Sequence, residues 1–293
     1  MMEKIIFATD LDQTLIYSRR SMGDSHQLHD LVPVERYKGQ YISYMTTQSV
    51  EQFCEVSKQA LVVPVTTRTI EQYKRVTLPT QPYYAVVSNG GHILIDGEPD
   101  QAWHHKIQSQ IQEKCLGLEE MEAEFSKIAA PDWVTDRRRA EHLFLFYIIE
   151  RTKVPTEELE RFSLWAYEQN WRISIQGRKL YLVPKPVSKW AAVEEILERV
   201  GHHYVVAAGD SLLDQEMLEK ANLALAPSHG ELWSTFCQKK QEKHCEEDSV
   251  KANTKTRKIT FLPQQGMKAG EEILNCLLSL CEERKEGPTS VIS

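Results

Sequence analysis

Four short, unbroken apolar runs constrain the fold more than any other feature: Lys4–Thr9, Ala60–Val65, Tyr83–Val87 and Tyr204–Ala208. Two weaker runs, Leu223–Ala226 and Ile259–Leu262, continue the series. Continuous rather than alternating apolar character is what a parallel sheet covered on both faces requires. Helical patterns separate the runs. Ser49–Gln59 places Val50, Phe53 and Cys54 on one face, and Thr69 with Gln72 forms a capping-box pattern at the start of the next helix. Ser188 is placed to cap a helix carrying Trp190, Val193, Ile196, Leu197 and Val200 on one side. Alternating strands and helices predict an α/β chain with a Rossmann-like, doubly wound parallel sheet as its core.

The middle of the chain follows another pattern. Apolar residues from Gln101 to Ile128 recur at spacings of three and four and predict one long helix. A strand (Leu143–Ile149), a helix from Thr156 to Gln169 opened by Pro155, and two strands joined by a turn at Gly177-Arg178 follow. With a weak strand near Trp133, two helix–strand–strand units stand in tandem. We expect residues 85–185 to form an inserted α+β domain, and residues 1–84 and 186–293 to form the core. The segment 238–258 is nearly devoid of apolar residues and is expected to be a loop.

Of the 293 residues, 41% are hydrophobic and 26% charged, the mix of a folded globular chain. The longest apolar run, Leu143–Ile149, is too short to span a bilayer. The net charge of −7 argues against nucleic-acid binding, and it requires any anionic ligand to meet a local cluster of cations. Six cysteines without a secretion pattern read as reduced thiols, so a cytoplasmic location is expected, with no membrane partner. Oligomeric state leaves no signal.

The first strand runs into Asp10-Leu11-Asp12-Gln13-Thr14. Two carboxylates at the end of a buried parallel strand sit where open α/β sheets bind ligands, although acidic residues at a helix start are common for electrostatic reasons alone. The second strand ends at Thr66-Thr67-Arg68 and the fourth at Gly209-Asp210-Ser211-Leu212-Leu213-Asp214, while Lys189 opens a helix between them. Carboxylates for a metal, with hydroxyls, amides and an ammonium for phosphate, make up the inventory of a phosphate- and magnesium-binding edge.

In order and spacing these four segments resemble the motifs of the haloacid dehalogenase-like superfamily, and the insertion resembles its C2-type cap. The pattern is closest to the Cof-like and sucrose-phosphatase-like phosphatases, in which Ser88-Asn89-Gly90-Gly91 also has a counterpart. The resemblance implies a Mg²⁺-dependent phosphatase acting on a small phosphorylated metabolite through an aspartyl-phosphate. It implies Asp10 as nucleophile, Asp12 as general acid/base, and Lys189 as the catalytic cation. It further implies Thr14, Thr66, Thr67, Arg68, Asn89, Gly90 and Lys189 as the phosphate- and substrate-binding set. Asp10, Asp12 through its backbone carbonyl, Asp210 and Asp214 are implied as the metal set. Three positions depart from relatives: Thr67 and Trp190 where Gly is usual, and Leu213 where Asn is common. A phosphomutase of the phosphomannomutase type, or a phosphate-binding regulator without turnover, are the alternatives. Specificity is expected from the cap, with His92 and the Arg137–Arg139 run as its polar readers, and a flap at residues 17–47, with a hairpin at Lys38-Gly39, is expected to cover the site.

Overall fold

The computed structural model describes residues 4–23, 30–201, 203–243 and 259–286. The first section comprises β1 (Lys4–Thr9), β2 (Tyr17–Ser18), β3 (Leu31–Tyr37), β4 (Gln40–Thr46), α1 (Thr47–Gln59), β5 (Ala60–Pro64) and the single turn α2 (Ile70–Tyr73). The middle section comprises β6 (Tyr84–Val87), β7 (His92–Ile95), β8 (Glu98–Pro99), α3 (Gln101–Lys114), α4 (Leu118–Ser126), β9 (Val134–Ala140), β10 (Phe144–Ile149), α5 (Thr156–Glu168), β11 (Trp171–Gln176) and β12 (Lys179–Pro184). The last comprises α6 (Lys189–Val200), β13 (His203–Ala208), α7 (Gln215–Lys220), β14 (Leu223–Pro227), α8 (Gly230–Lys243), β15 (Thr260–Leu262) and α9 (Met267–Glu286).

The core is a parallel sheet of order β15-β14-β13-β1-β5. Side chains of β1 alternate between two apolar layers, as a strand's two-residue period demands. Ile5 and Phe7 pack with Phe53 and Val56 of α1 and with Ile273 and Leu277 of α9. Ile6 and Ala8 pack with Val193 and Ile196 of α6 and with Met217 of α7. The chain leaves β1 toward β5 on one side and returns through β13 on the other. The C-terminal end of β1 is therefore the switch point at which such sheets open a binding crevice.

Three expectations differ from the fold. The run Tyr83–Val87 does not extend the parallel sheet; β6 folds onto β7 and β8 as an antiparallel meander and meets the core by one parallel bridge, Val65 to Val86. The Val65 amide donates to Thr9 of β1 and the Thr66 amide to Val86, so position 64 also faces β6, and Pro64 has no amide to give. The long helix breaks into α3 and α4 because tertiary bonds claim Leu116: its amide donates to Gln169 (3.2 Å) and its carbonyl accepts the Trp171 indole N–H (2.9 Å). Residues 238–243 continue α8, since Gln, Lys and Glu favour helix and Trp233 anchors the helix on Phe261 at 5.3 Å. The rest of the expected loop lies outside the described residues.

The sheet β11-β12-β10-β9 carries its own apolar cluster with α4 and α5, including Phe125, Trp133, Leu145, Phe162 and Trp171. A third sheet, β2-β4-β3, holds the predicted hairpin, where Lys38 (φ 47°) and Gly39 (φ 81°) take the left-handed backbone of a two-residue turn. Among the described residues no helix is long and apolar enough to cross a membrane.

Candidate active site

Asp10 directly follows β1, and its amide donates to Ala208 O at 2.9 Å, extending the ladder by one residue. The chain then curls: the Leu15 and Ile16 amides both donate to Leu11 O, and Gln13 takes φ 63°. His229 braces the curl. Its Nδ1 accepts from the Gly266 amide at 3.3 Å, so Nε2 carries the proton that it gives to Gln13 O at 2.7 Å.

Lys189 stands at the first turn of α6, whose cap Ser188 accepts from the Ala191 amide as the sequence predicts. It is 2% exposed, and its Nζ donates to Asp10 Oδ1 at 2.7 Å and Asp214 Oδ1 at 2.5 Å. Burial pulls the ammonium down, but the two carboxylates outweigh this and raise its pKa. Asp214 Oδ2 accepts from the amide and hydroxyl of Ser211, at 3.0 and 2.6 Å. Only glycine fits beside it at 209, where a Cβ would lie 2.5 Å from Asp214 Cγ. Gly230 is constrained similarly, with φ +79° and a hypothetical Cβ 2.6 Å from Asp210 Oδ2.

Carboxylate oxygens of Asp10, Asp210 and Asp214 all lie within 4.8 Å of one another, and all three residues are buried. Burial pushes the Asp10 carboxyl up to about 7, against the pull of Lys189 and with help from Asp214 and Asp12. Asp210 is pushed well above its ordinary value, by burial first and then by Asp10 and Asp214. One ammonium cannot neutralise three buried carboxylates. The donors are all hard oxygens, so the set fits a divalent cation such as Mg²⁺.

Asp12 lies at the mouth, its side chain half exposed. Arg68 grips both of its oxygens, Nε to Oδ2 at 2.7 Å and Nη2 to Oδ1 at 2.8 Å. Burial raises the Asp12 carboxyl, but Arg68 wins and holds it below the usual range. The same guanidinium reaches Glu35 of β3, at 2.8 and 2.9 Å, and Glu35 accepts the Ser43 hydroxyl of β4 at 2.5 Å. The flap is thereby tied to the mouth of the site.

A cavity of about 400 Å³ is lined by Asp10, Asp12, Thr67, Lys189 and Asp210, with Arg151 and Gln176 from the middle section also in its wall. Other residues singled out in the sequence stand behind this wall. Thr66 is fully buried and its hydroxyl accepts from the Arg68 amide at 3.2 Å. The Thr14 hydroxyl is buried with no partner among the described residues. Asn89 (φ 57°) donates to Val187 O at 3.2 Å and faces a separate 360 Å³ cavity shared with Lys189 and Leu213. A Cβ on Gly90 would lie 2.1 Å from Ser188 O, so this glycine lets the β6–β7 turn support the segment presenting Lys189. Trp190 packs into the core.

His92 is buried, 3.4 Å from Glu141 and stacked on His104, and lines neither cavity beside Asp10. Arg137 and Arg139 pair with Glu122 of α4, and Arg138 pairs with Asp136. Gly230, Glu231 and Arg151 escaped the sequence reading. The first two follow β14 at the sheet edge that carries the motifs, a usable signal; Arg151 has none.

Residues 3–255 match the family described as sucrose-6F-phosphate phosphohydrolase. Among solved structures, the chain is similar to the sucrose-phosphatase of Synechocystis sp. PCC6803 in complex with sucrose and phosphate. Identity is 13% over 94% of this chain and 98% of that one, with a TM-score of 0.63. It is also similar to protein 0175 of Thermoplasma acidophilum, with 14% identity over 95% and 99% of the two chains and a TM-score of 0.56. At these identities the likeness is one of fold. No curated protein sequence matches the chain.

Proposed function

Because the chain belongs to the sucrose-6F-phosphate phosphohydrolase family, and is a phosphoric monoester hydrolase of the haloacid dehalogenase-like superfamily, we propose that it is a Mg²⁺-dependent phosphatase of small phosphorylated metabolites working through an aspartyl-phosphate on Asp10. The observation that carries this reading is the Lys189 bridge, 2.7 Å to Asp10 and 2.5 Å to Asp214, at the switch point of the sheet beside Asp210. Residues 85–185 are proposed as the cap that closes over the ester.

In this reading Asp10 attacks phosphorus and the bond to the ester oxygen breaks. Asp12 gives its proton to the departing alkoxide, then takes one from the water that attacks the acyl phosphate, releasing phosphate and restoring Asp10. Lys189 orients Asp10 and faces the phosphoryl oxygens, while Thr67 offers hydroxyl and amide donors. Asp10 and Asp210, with the Asp12 carbonyl, would hold Mg²⁺, and Asp214 would steady the Lys189 side of the cluster. The ion, when bound, neutralises phosphoryl charge in a loose transition state. Asp12 can leave Arg68 without stranding it, because Glu35 remains on the guanidinium.

The test is phosphate release from a panel of phosphate esters with Mg²⁺ or EDTA, for wild type and Asp10→Asn. Mg²⁺-stimulated release that is abolished in the near-isosteric variant is expected. Activity surviving in Asp10→Asn would refute the covalent route.

A further inference from the structure

A second cavity of about 790 Å³ adjoins the first and shares Asp12, Gln13, Thr67, Gln176 and Gly177 with it. It occupies the space a leaving group would enter, between the flap (Tyr37, Ser43) and the inserted sheet (Phe146, Tyr181), and its size suits a small organic ligand. Besides Arg68, four cations line it from three separate parts of the chain: Arg20 after β2, Arg75 after α2, and Arg178 and Lys179 at the β11–β12 turn.

Among the described residues none of the four has a carboxylate partner within ion-pair distance. The two acids in the same wall, Asp12 and Glu35, are both spent on Arg68. Two of them lie over rings instead, Arg75 4.5 Å from Tyr37 and Lys179 5.9 Å from Phe146, and Arg75 Nε is buried with no acceptor among the described residues. Scattered surface cations are ordinary. Four around one cavity, with no free acid between them, in a chain of net charge −7, are not explained by composition.

Resting on the phosphatase reading, we infer that the ester cleaved here carries a second anionic group, a carboxylate or a further phosphate, in the part that departs as the alcohol. Arg75, Arg178 and Lys179 hold that anion, and Phe146 and Tyr181 pack against the carbon skeleton. Arg178 and Lys179 are exposed and Arg75 is half-buried with its Nε unanswered; a neutral sugar would displace their water without replacing it by charge, whereas a carboxylate or phosphate takes charge-assisted hydrogen bonds from them.

The experiment compares kcat/KM for a hexose bisphosphate and phosphoglycerate with that for a hexose monophosphate and sucrose 6-phosphate. Wild type is set against Arg75→Gln and the double variant Arg178→Gln/Lys179→Gln. Wild type should prefer the doubly anionic esters, and each variant should cut that preference by about 10- to 100-fold, the weight of one or two charged hydrogen bonds. Calorimetric binding of hexose bisphosphate and hexose monophosphate to Asp10→Asn protein, with and without the same changes, reads the cavity without turnover. Hydrolysis with no preference, or equal losses on both classes, overturns the inference and leaves the phosphatase reading standing. Selective bisphosphate binding without hydrolysis of any ester overturns the phosphatase reading and leaves only the anion-binding wall.

Discussion

Replacing Lys189 by Met tests the electrostatic core of the site. The side chain is 1% exposed and its partners 8% and 0%, so Met preserves volume and removes a charge. Removing one partner of a buried pair costs about 3–5 kcal/mol, a large part of a domain's total of about 5–15 kcal/mol. The cost depends on pH. Asp10 titrates at about 7 in the folded wild type, raised from 3.8. Between those values the folded protein holds a proton that the unfolded chain has released, so Asp10's contribution falls as pH rises, by about 1.4 kcal/mol per pH unit. Above about 7 the wild-type carboxyl is ionised and the fall stops. Without the ammonium the folded pKa moves higher, so in the variant the fall continues. The variant's deficit should therefore be smaller near pH 6, where the Asp214 contact is the main loss, and widen above pH 7, toward about 3–5 kcal/mol near pH 9. Urea unfolding in EDTA at the two pH values measures it. Equal deficits at both would mean that the charge pair of Lys189 with Asp10 contributes nothing to stability.

Asp12→Asn should lower kcat by about 10²–10⁴-fold on alkyl phosphates and less on aryl phosphates, whose leaving groups need no proton; equal losses would contradict an acid–base role. Gly230→Ala forces a left-handed alanine, costing about 1–2 kcal/mol, and drives its methyl into Asp210, 2.6 Å away. Activity should fall by more than a thermal melt would suggest, and a fully active variant would separate Asp210 from catalysis. Glu35→Gln removes the charged link between flap and Arg68, so KM should rise several-fold while far-UV CD is unchanged; an unaltered KM would mean the flap is held elsewhere.

Local chemistry made much of this molecule legible. Unbroken apolar runs identified the five core strands, and the Thr69–Gln72 and Ser188 caps formed as their side chains predict. The motif residues gather because parallel strands deliver their ends to one edge. What escaped depends on distant pairing. Arg137-Arg138-Arg139 is the conspicuous basic run, yet strand alternation turns Arg137 and Arg139 to the face of Glu122, where they are neutralised. The inconspicuous Arg75 and Arg178-Lys179 reach the cavity without a carboxylate partner among the described residues, because the segment after α2 and the β11–β12 turn, far apart in sequence, meet there. Glu35 is unremarkable in sequence and joins the mouth of the site only because β3 carries it 2.8 Å from Arg68.

The role proposed for Asp12 and its resting partner make opposite demands. Protonating an alkoxide requires a carboxyl that holds a proton, whereas Arg68 stabilises the ionised form and occupies both oxygens. A clamped Asp12 is a poor acid until something competes for the guanidinium. A neutral leaving group offers no such competitor. A carboxylate or phosphate drawn into the adjoining cavity does, because Arg68 lines that cavity together with Arg75 and Lys179. As the incoming anion takes guanidinium N–H groups, Asp12 loses the charge that depresses its pKa and regains the capacity to carry a proton. The ester that fits the cationic wall is then also the ester that releases its own general acid, so selectivity would be expressed in kcat as well as in KM.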